Sequence, residues 1–166
     1  MARPKDESYV IDLCDDVLRA KALRGHRFDF LRGDPDKRGV RHRLPVDAYY
    51  PDLGLVVEYY ERQHSESIPH MDRRMTVSGV TRGEQRKLYD QRRHDVLPQH
   101  GIRVVVLSYA DFEHDGRKRL RRTGSDREVI AEKLRVATNQ PVRLSVDEVY
   151  DQMSASTVLS TAYAHT

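Results

Sequence analysis

The chain has 166 residues, of which 33% are charged and 38% hydrophobic, with no tryptophan, a net charge of +3 and a pI near 9.0. That length suits one domain with a modest core under a strongly polar surface. No apolar run reaches membrane-spanning length, and the single cysteine, Cys14, excludes an internal disulfide and a multi-cysteine zinc site. The opening MARPKDESYV lacks the apolar stretch of a secretory signal, so a cytoplasmic location is expected. The basic residues are clustered, which makes nucleic acid the leading partner.

Residues 1 to 5 read as a frayed end, and a helix begins near Asp6, with Val10, Leu13, Cys14, Val17 and Leu18 recurring at helical spacing as its buried stripe. Cys14 is a small core residue on this pattern. Glu7 lies one turn before Val10, at the edge of the stripe, where it could look inward or simply complement the helix dipole. Asp12 and Asp15 are expected to project away from the core. The helix should stop around Arg24 and Gly25, glycine being common just past a helix end. His26 to Arg32 alternates Phe28 and Phe30 with Arg27, Asp29 and Leu31 and suits a first strand. Gly33 to Arg43 is rich in turn formers and basic side chains and reads as an exposed hairpin connection, equally suited to solvent and to phosphate.

The stretch LPVDAYYPDLGLVVEYYERQH, Leu44 to His64, carries two strand patterns. Val46, Ala48 and Tyr50 alternate with Pro45, Asp47 and Tyr49, so a strand here throws Asp47 to one face, and Pro51 to Gly54 supplies the turn. Leu55, Val56 and Val57 suit a central strand and run directly into Glu58. If the two strands pair as a hairpin, Asp47 and Glu58 sit side by side, where two carboxylates repel or share a cation. A divalent metal resolves that conflict. Ser65 to Val80 shows no clean period and reads as a long loop or flap.

Thr81 and Glu84 stand three apart and predict a capping box. The helix they open, Arg82 to Leu97, has few apolar positions, chiefly Leu88, Tyr89, Val96 and Leu97, and is crowded by Arg82, Arg86, Lys87, Arg92 and Arg93. It ends at Gln99 to Gly101, and Ile102 to Tyr109 is the strongest strand pattern, with apolar continuity that suggests burial on both faces. The segment DGRKRLRRTGSDR gathers Arg117, Lys118, Arg119, Arg121, Arg122 and Arg127, a run that fits either phosphate contact or a solvated face. Ser125 with Glu128 suggests a second capping box, ahead of a stripe formed by Val129, Ile130 and Leu134. After Pro141, Ser145 to Met153 suits a short helix. Ser154 to Thr166 reads as a tail that is either loose or docked on a partner subunit, a route to a homodimer.

The order helix, three strands, helix, strand, with acids on strands two and three, resembles the PD-(D/E)XK nuclease superfamily over roughly Asp6 to Tyr109. Asp47 and Glu58 have ten residues between them, and Pro45 stands one place earlier than the proline of the superfamily's motif. Gln63 and His64 after Glu58, then a basic helix and a glycine followed by an apolar strand, are similar to the very-short-patch-repair endonuclease-like branch. The resemblance implies a restriction-endonuclease-like α-β-β-β-α-β core, an α/β fold with a mixed central sheet flanked by helices. Residues 1–140 would form the nuclease-like domain and 141–166 a C-terminal short helix and tail.

By the same resemblance, Asp47 and Glu58, with a backbone carbonyl beside Glu58, are expected to hold Mg²⁺ or Mn²⁺, and Glu7 is a further carboxylate candidate. The lysine expected two residues after the glutamate is Tyr60 here. Gln63, His64 and Lys87 are the candidates to replace it, with His64 on the same face as Glu58 in an ideal strand. The pairing of Gln85 with Tyr89 is similar to a motif of helicase-linked members. The implied activity is that of a metal-dependent DNA endonuclease hydrolysing phosphodiester bonds, with RNA left open as a partner. Arg82, Arg86, Arg92, Arg93, Arg117, Lys118, Arg119, Arg121 and Arg122 would hold the backbone without choosing sequence. The alternative is a catalytically inactive nucleic-acid-binding module, or a subunit of a larger defence or repair complex, with the same fold.

Overall fold

The apolar run at Leu55 sets the centre of the molecule. The computed structural model describes residues 5–61 and 74–139. In chain order these form α1 (Asp6–Leu18), β1 (Leu23–Arg24), β2 (Arg27–Pro35), β3 (Arg41–Pro45), β4 (Ala48–Tyr50), β5 (Leu55–Tyr60), α2 (Arg82–Gln99), β6 (Arg103–Ser108) and α3 (Asp126–Asn139). Short 3-10 turns occupy Pro51–Leu53 and Tyr109–Asp111. Four strands make a mixed sheet in the order β1-β4-β5-β6. The first two pairings are antiparallel and β5 with β6 is parallel. The protein is therefore mixed α/β, with a mixed four-stranded sheet flanked by helices. No helix among the described residues is long and apolar enough to cross a membrane.

Because strand side chains alternate, β5 feeds two cores. Leu55, Val57 and Tyr59 pack with Val10, Ile11 and Cys14 of α1 and with Ile130 and Leu134 of α3. Val56 points the other way, into a cluster with Leu97 of α2 and with Phe28, Leu31 and Leu44 of the β2–β3 hairpin. Covered on both faces, β5 is buried from Leu55 to Tyr59, and the acid in its sequence is buried with it. The turn before it needs Gly54, whose φ of 52° is left-handed and costly for a residue with a side chain.

Several expectations are corrected. Helix α1 ends at Leu18 rather than near Arg24, with Arg19 in the left-handed region at φ 51°. Its stop comes from Asp15, whose backbone oxygen accepts from Ala20 N–H and whose carboxylate accepts from Ala22 N–H at 3.1 Å. Asp15 does not project away but is only 4% exposed, and the Tyr50 hydroxyl donates to it at 2.9 Å. Burial alone would raise the Asp15 pKa, but the hydrogen bonds from Tyr50, Ala22, Lys21 and Arg24 outweigh it and hold the carboxyl below its ordinary value.

The expected first strand exists as β2 but continues to Pro35 and pairs with β3 in a separate two-stranded sheet. The expected second strand, Leu44 to Tyr50, is broken between Pro45 and Ala48 and divides into β3 and β4. Pro45 has no N–H to donate to a ladder, but the pairing with the preceding segment keeps one register across the break, Val46 N–H donating to His26 O at 2.9 Å and Gly25 N–H to Asp47 O at 3.2 Å between the Arg27–Pro45 and Arg24–Ala48 pairs. The place beside β4 goes to the two residues of β1. Strand β6 is not buried on both faces, since it lies at the sheet edge and only Val105 and Leu107 among its residues are buried.

The Thr81–Glu84 capping box is present as expected, with Glu84 N–H donating to Thr81 Oγ1 and Thr81 N–H to Glu84 Oε2. At α3, by contrast, Thr123 and Asp126 tie the helix start, Thr123 N–H donating to Asp126 Oδ2 and Thr123 Oγ1 to Oδ1, where the sequence suggested Ser125 and Glu128. Gln63, His64, the helix expected over Ser145 to Met153 and the tail from Ser154 lie outside the described residues.

Candidate active site

Asp47 stands one residue ahead of β4, and the register that sets Ala48 opposite Val57 brings it beside Glu58. The two acids are locked by each other's strand. Asp47 N–H donates to Glu58 Oε1 at 3.3 Å, and Tyr59 N–H donates to Asp47 Oδ2 at 2.8 Å. Glu58 is 4% exposed, on the face of β5 that carries Val56 and Tyr60 toward α2. From α2, Arg93 Nε lies 3.7 Å from Glu58 Oε2. The same guanidinium donates twice to Pro45 O, at 3.1 and 2.9 Å, and once to Asp90 Oδ1 at 3.0 Å. It thus ties the strand ahead of Asp47 to the helix.

Burial, then the charge of Asp47, push the Glu58 carboxyl up to about 8 against the opposing pull of Arg93. Near neutral pH it holds a proton. Tyr60, in the position where the resemblance expects lysine, has its phenol pushed upward by burial and then by Asp90 and Glu58. Its hydroxyl lies 3.5 Å from His94 Nε2.

As a donor set, two adjacent carboxylates suit a hard divalent ion such as Mg²⁺, which needs only one or two carboxylates and keeps several waters. Among the described residues no three His, Cys, Asp or Glu side chains gather closely enough to hold a metal, so Glu7 is not brought together with Asp47 and Glu58. Lys87 is exposed on α2 and does not line the 280 Å³ pocket formed by Arg82, Gln85, Arg86, Tyr89, Asp90 and Arg93.

Tyr89 and Gln85 serve the neighbouring hairpin. The Tyr89 hydroxyl accepts from Asp34 N–H at 3.0 Å, and Gln85 Nε2 donates to Ser78 Oγ at 3.3 Å. Gly33 leaves room for this contact, since a Cβ there would come within 2.9 Å of the Tyr89 oxygen and displace the ring. Beside them Arg92 pairs with Asp34 at 2.9 Å and donates to Arg32 O.

The run after Asp115 is largely engaged with the protein itself. Arg119 pairs with Asp115, Arg122 pairs with Asp6 and lies over the Tyr9 ring, and Lys118 lies over Tyr109. Arg117 and Arg121 are exposed.

Two residues at this site were not read as such from the sequence, Asp90 entirely and Arg93 as more than a phosphate contact. A signal existed. Leu97 anchors α2 in the core, and Arg93 and Tyr89 precede it at successive four-residue steps, so all three share the inward face. In comparisons with known proteins, the chain matches no family model, no curated protein and no solved structure.

Proposed function

We propose that this chain is a metal-dependent nuclease that hydrolyses phosphodiester bonds in DNA, on a restriction-endonuclease-like core. The observation that carries the reading is the pairing of Asp47 with Glu58 across β4 and β5, with Arg93 beside them. The strand order supports it: two antiparallel pairings lead to the strand bearing the glutamate, and a helical crossover returns a parallel strand on its far side.

Asp47 and Glu58 would hold Mg²⁺, or Mn²⁺ in its place. Such an ion supplies charge neutralisation at a scissile phosphate. Glu58 must lose its proton to act as a ligand, so it serves best as pH rises toward 8 and above. Arg93 provides the fixed positive charge that the missing lysine would have given, and by gripping Pro45 O it keeps Asp47 in position. Tyr60 closes the site toward His94.

A second reading is favoured by the same arginine. Glu58 already has a cation at 3.7 Å, which is also what a binding module without catalysis would need to keep a buried acid. Gel analysis of plasmid and oligonucleotides, with and without Mg²⁺, separates the two. Nuclease function predicts Mg²⁺-dependent cleavage that Asp47→Ala and Glu58→Ala abolish while DNA binding persists. If either variant cuts as fast as the parent, the site is wrongly assigned. Binding with no cleavage by the parent selects the second reading.

A further inference from the structure

A groove of about 600 Å³ lies between the β2–β3 hairpin and the start of α2. Its rim carries Arg27, Lys37, Arg43, Arg74 and Arg82. Arg43 pairs with Asp29, but Lys37, Arg74 and Arg82 have no ion-pair partner among the described residues. The two acids in the groove are already answered. Asp34 is held by Arg92, and Asp36 by His42 and by the backbone N–H groups of Arg38 and Val40. The net field on a ligand is therefore positive.

The same groove is also apolar. Leu44, Pro45 and Tyr89 line it, and Met75 and Val77 stand 62% and 57% exposed on its wall. Duplex DNA turns phosphates outward and keeps its base faces stacked inside, so it has no use for a concave apolar lining. A single strand presents both charged backbone and free base faces, and proteins that hold single strands combine a basic groove with apolar and aromatic platforms.

The groove leads to Arg93, the cation beside the paired acids. Arg82, Gln85 and Tyr89 line both it and the smaller pocket, and the smaller pocket continues to Asp90 and Arg93. Pro45 lines the groove and is the residue whose carbonyl Arg93 grips.

We infer that the hairpin groove is a binding track for single-stranded nucleic acid, which it delivers to the Asp47–Glu58 site. The delivery rests on the nuclease reading, whereas the binding stands apart from it. The run at Arg117 to Arg122 lies outside this track.

The test is fluorescence anisotropy of a labelled 12-mer single strand, and of its duplex, with the full chain in EDTA so that binding is read without cleavage. The expected result is tighter binding of the single strand by about tenfold or more, lost by a similar factor in the Lys37→Glu/Arg74→Glu variant, with a salt slope shallower by about two charges. The Arg117→Glu/Arg121→Glu variant should bind within about threefold of the parent. Met75→Ser/Val77→Ser should weaken single-strand binding while leaving the salt slope unchanged. Equal or tighter binding of duplex, an unaffected groove variant, or an equal loss in the Arg117 and Arg121 variant would each overturn the track. If the groove binds as described but Mg²⁺ brings no cleavage, the nuclease reading fails and the track remains.

Discussion

Replacing Glu58 with glutamine should make the ion-free protein more stable, and increasingly so as pH rises. Glu58 is buried beside Asp47, and its carboxyl is pushed from an ordinary value of 4.5 up to about 8. The folded state therefore keeps a proton that the unfolded chain releases. Stability from this group is fully present below pH 4.5, declines as pH rises, and is lost once pH passes about 8, beyond which the decline levels off. Each pH unit within that window is worth about 1.4 kcal/mol for one group, so the whole window approaches about 4 to 5 kcal/mol. That is a large share of the roughly 5 to 15 kcal/mol that holds a domain folded. A glutamine side chain at this position has no proton to lose and keeps an oxygen for Asp47 N–H, while its N–H₂ takes the place of Oε2, 3.7 Å from Arg93 Nε. Urea denaturation of both proteins in EDTA at pH 5, 6.5, 8 and 9 isolates the effect, because groups common to both cancel in the difference. The difference should be small at pH 5 and reach several kcal/mol in favour of Glu58→Gln at pH 9. Parallel stability curves across the range would refute the assignment of a buried, proton-holding Glu58.

Arg93→Met leaves the same acid without its cation and should cost about 3 to 5 kcal/mol at pH 9 in urea unfolding, shrinking at pH 5 where Glu58 is protonated. A pH-independent loss would assign Arg93 to Pro45 alone. Tyr50→Phe removes the hydroxyl donor to buried Asp15 and should destabilise by about 1.5 to 3 kcal/mol, read as a shift of the denaturation midpoint with an unchanged slope. Thr81→Ala opens the capping box of α2 and should cost about 1 kcal/mol by the same measurement, whereas Thr81→Ser should cost little.

What the sequence made legible followed from local chemistry. The Thr81–Glu84 box needs only a three-residue spacing, and the apolar run into Glu58 identified the buried strand that became β5. The Asp47–Glu58 pairing was legible because a tight turn fixes the register of a hairpin. What stayed hidden depended on partners far along the chain. Asp15 reads as a solvent-facing acid until Tyr50 and Ala22 are placed against it. The pattern from Leu44 to Tyr50 looks like one strand, and only the partners that Leu23 to Arg27 supply along it show that it is divided between two sheets. The five basic residues of α2 are alike in sequence. The packing of Leu97 decides that Arg93 turns inward while Lys87 stays in solvent.

The parallel pairing of β5 with β6 has a kinetic consequence. The acids meet through an antiparallel hairpin closed by one short turn, whereas Arg93 arrives only with the crossover helix that parallel pairing demands. Local closure precedes long-range closure, since the entropy of a longer loop must be offset before its contacts form. During refolding the two carboxylates are therefore juxtaposed before α2 covers them, and closing α2 over them requires Glu58 to take up a proton or enter as an ion beside Arg93. Stopped-flow refolding in EDTA should be slower at pH 9 than at pH 6 for the parent, and Glu58→Gln should remove most of that difference.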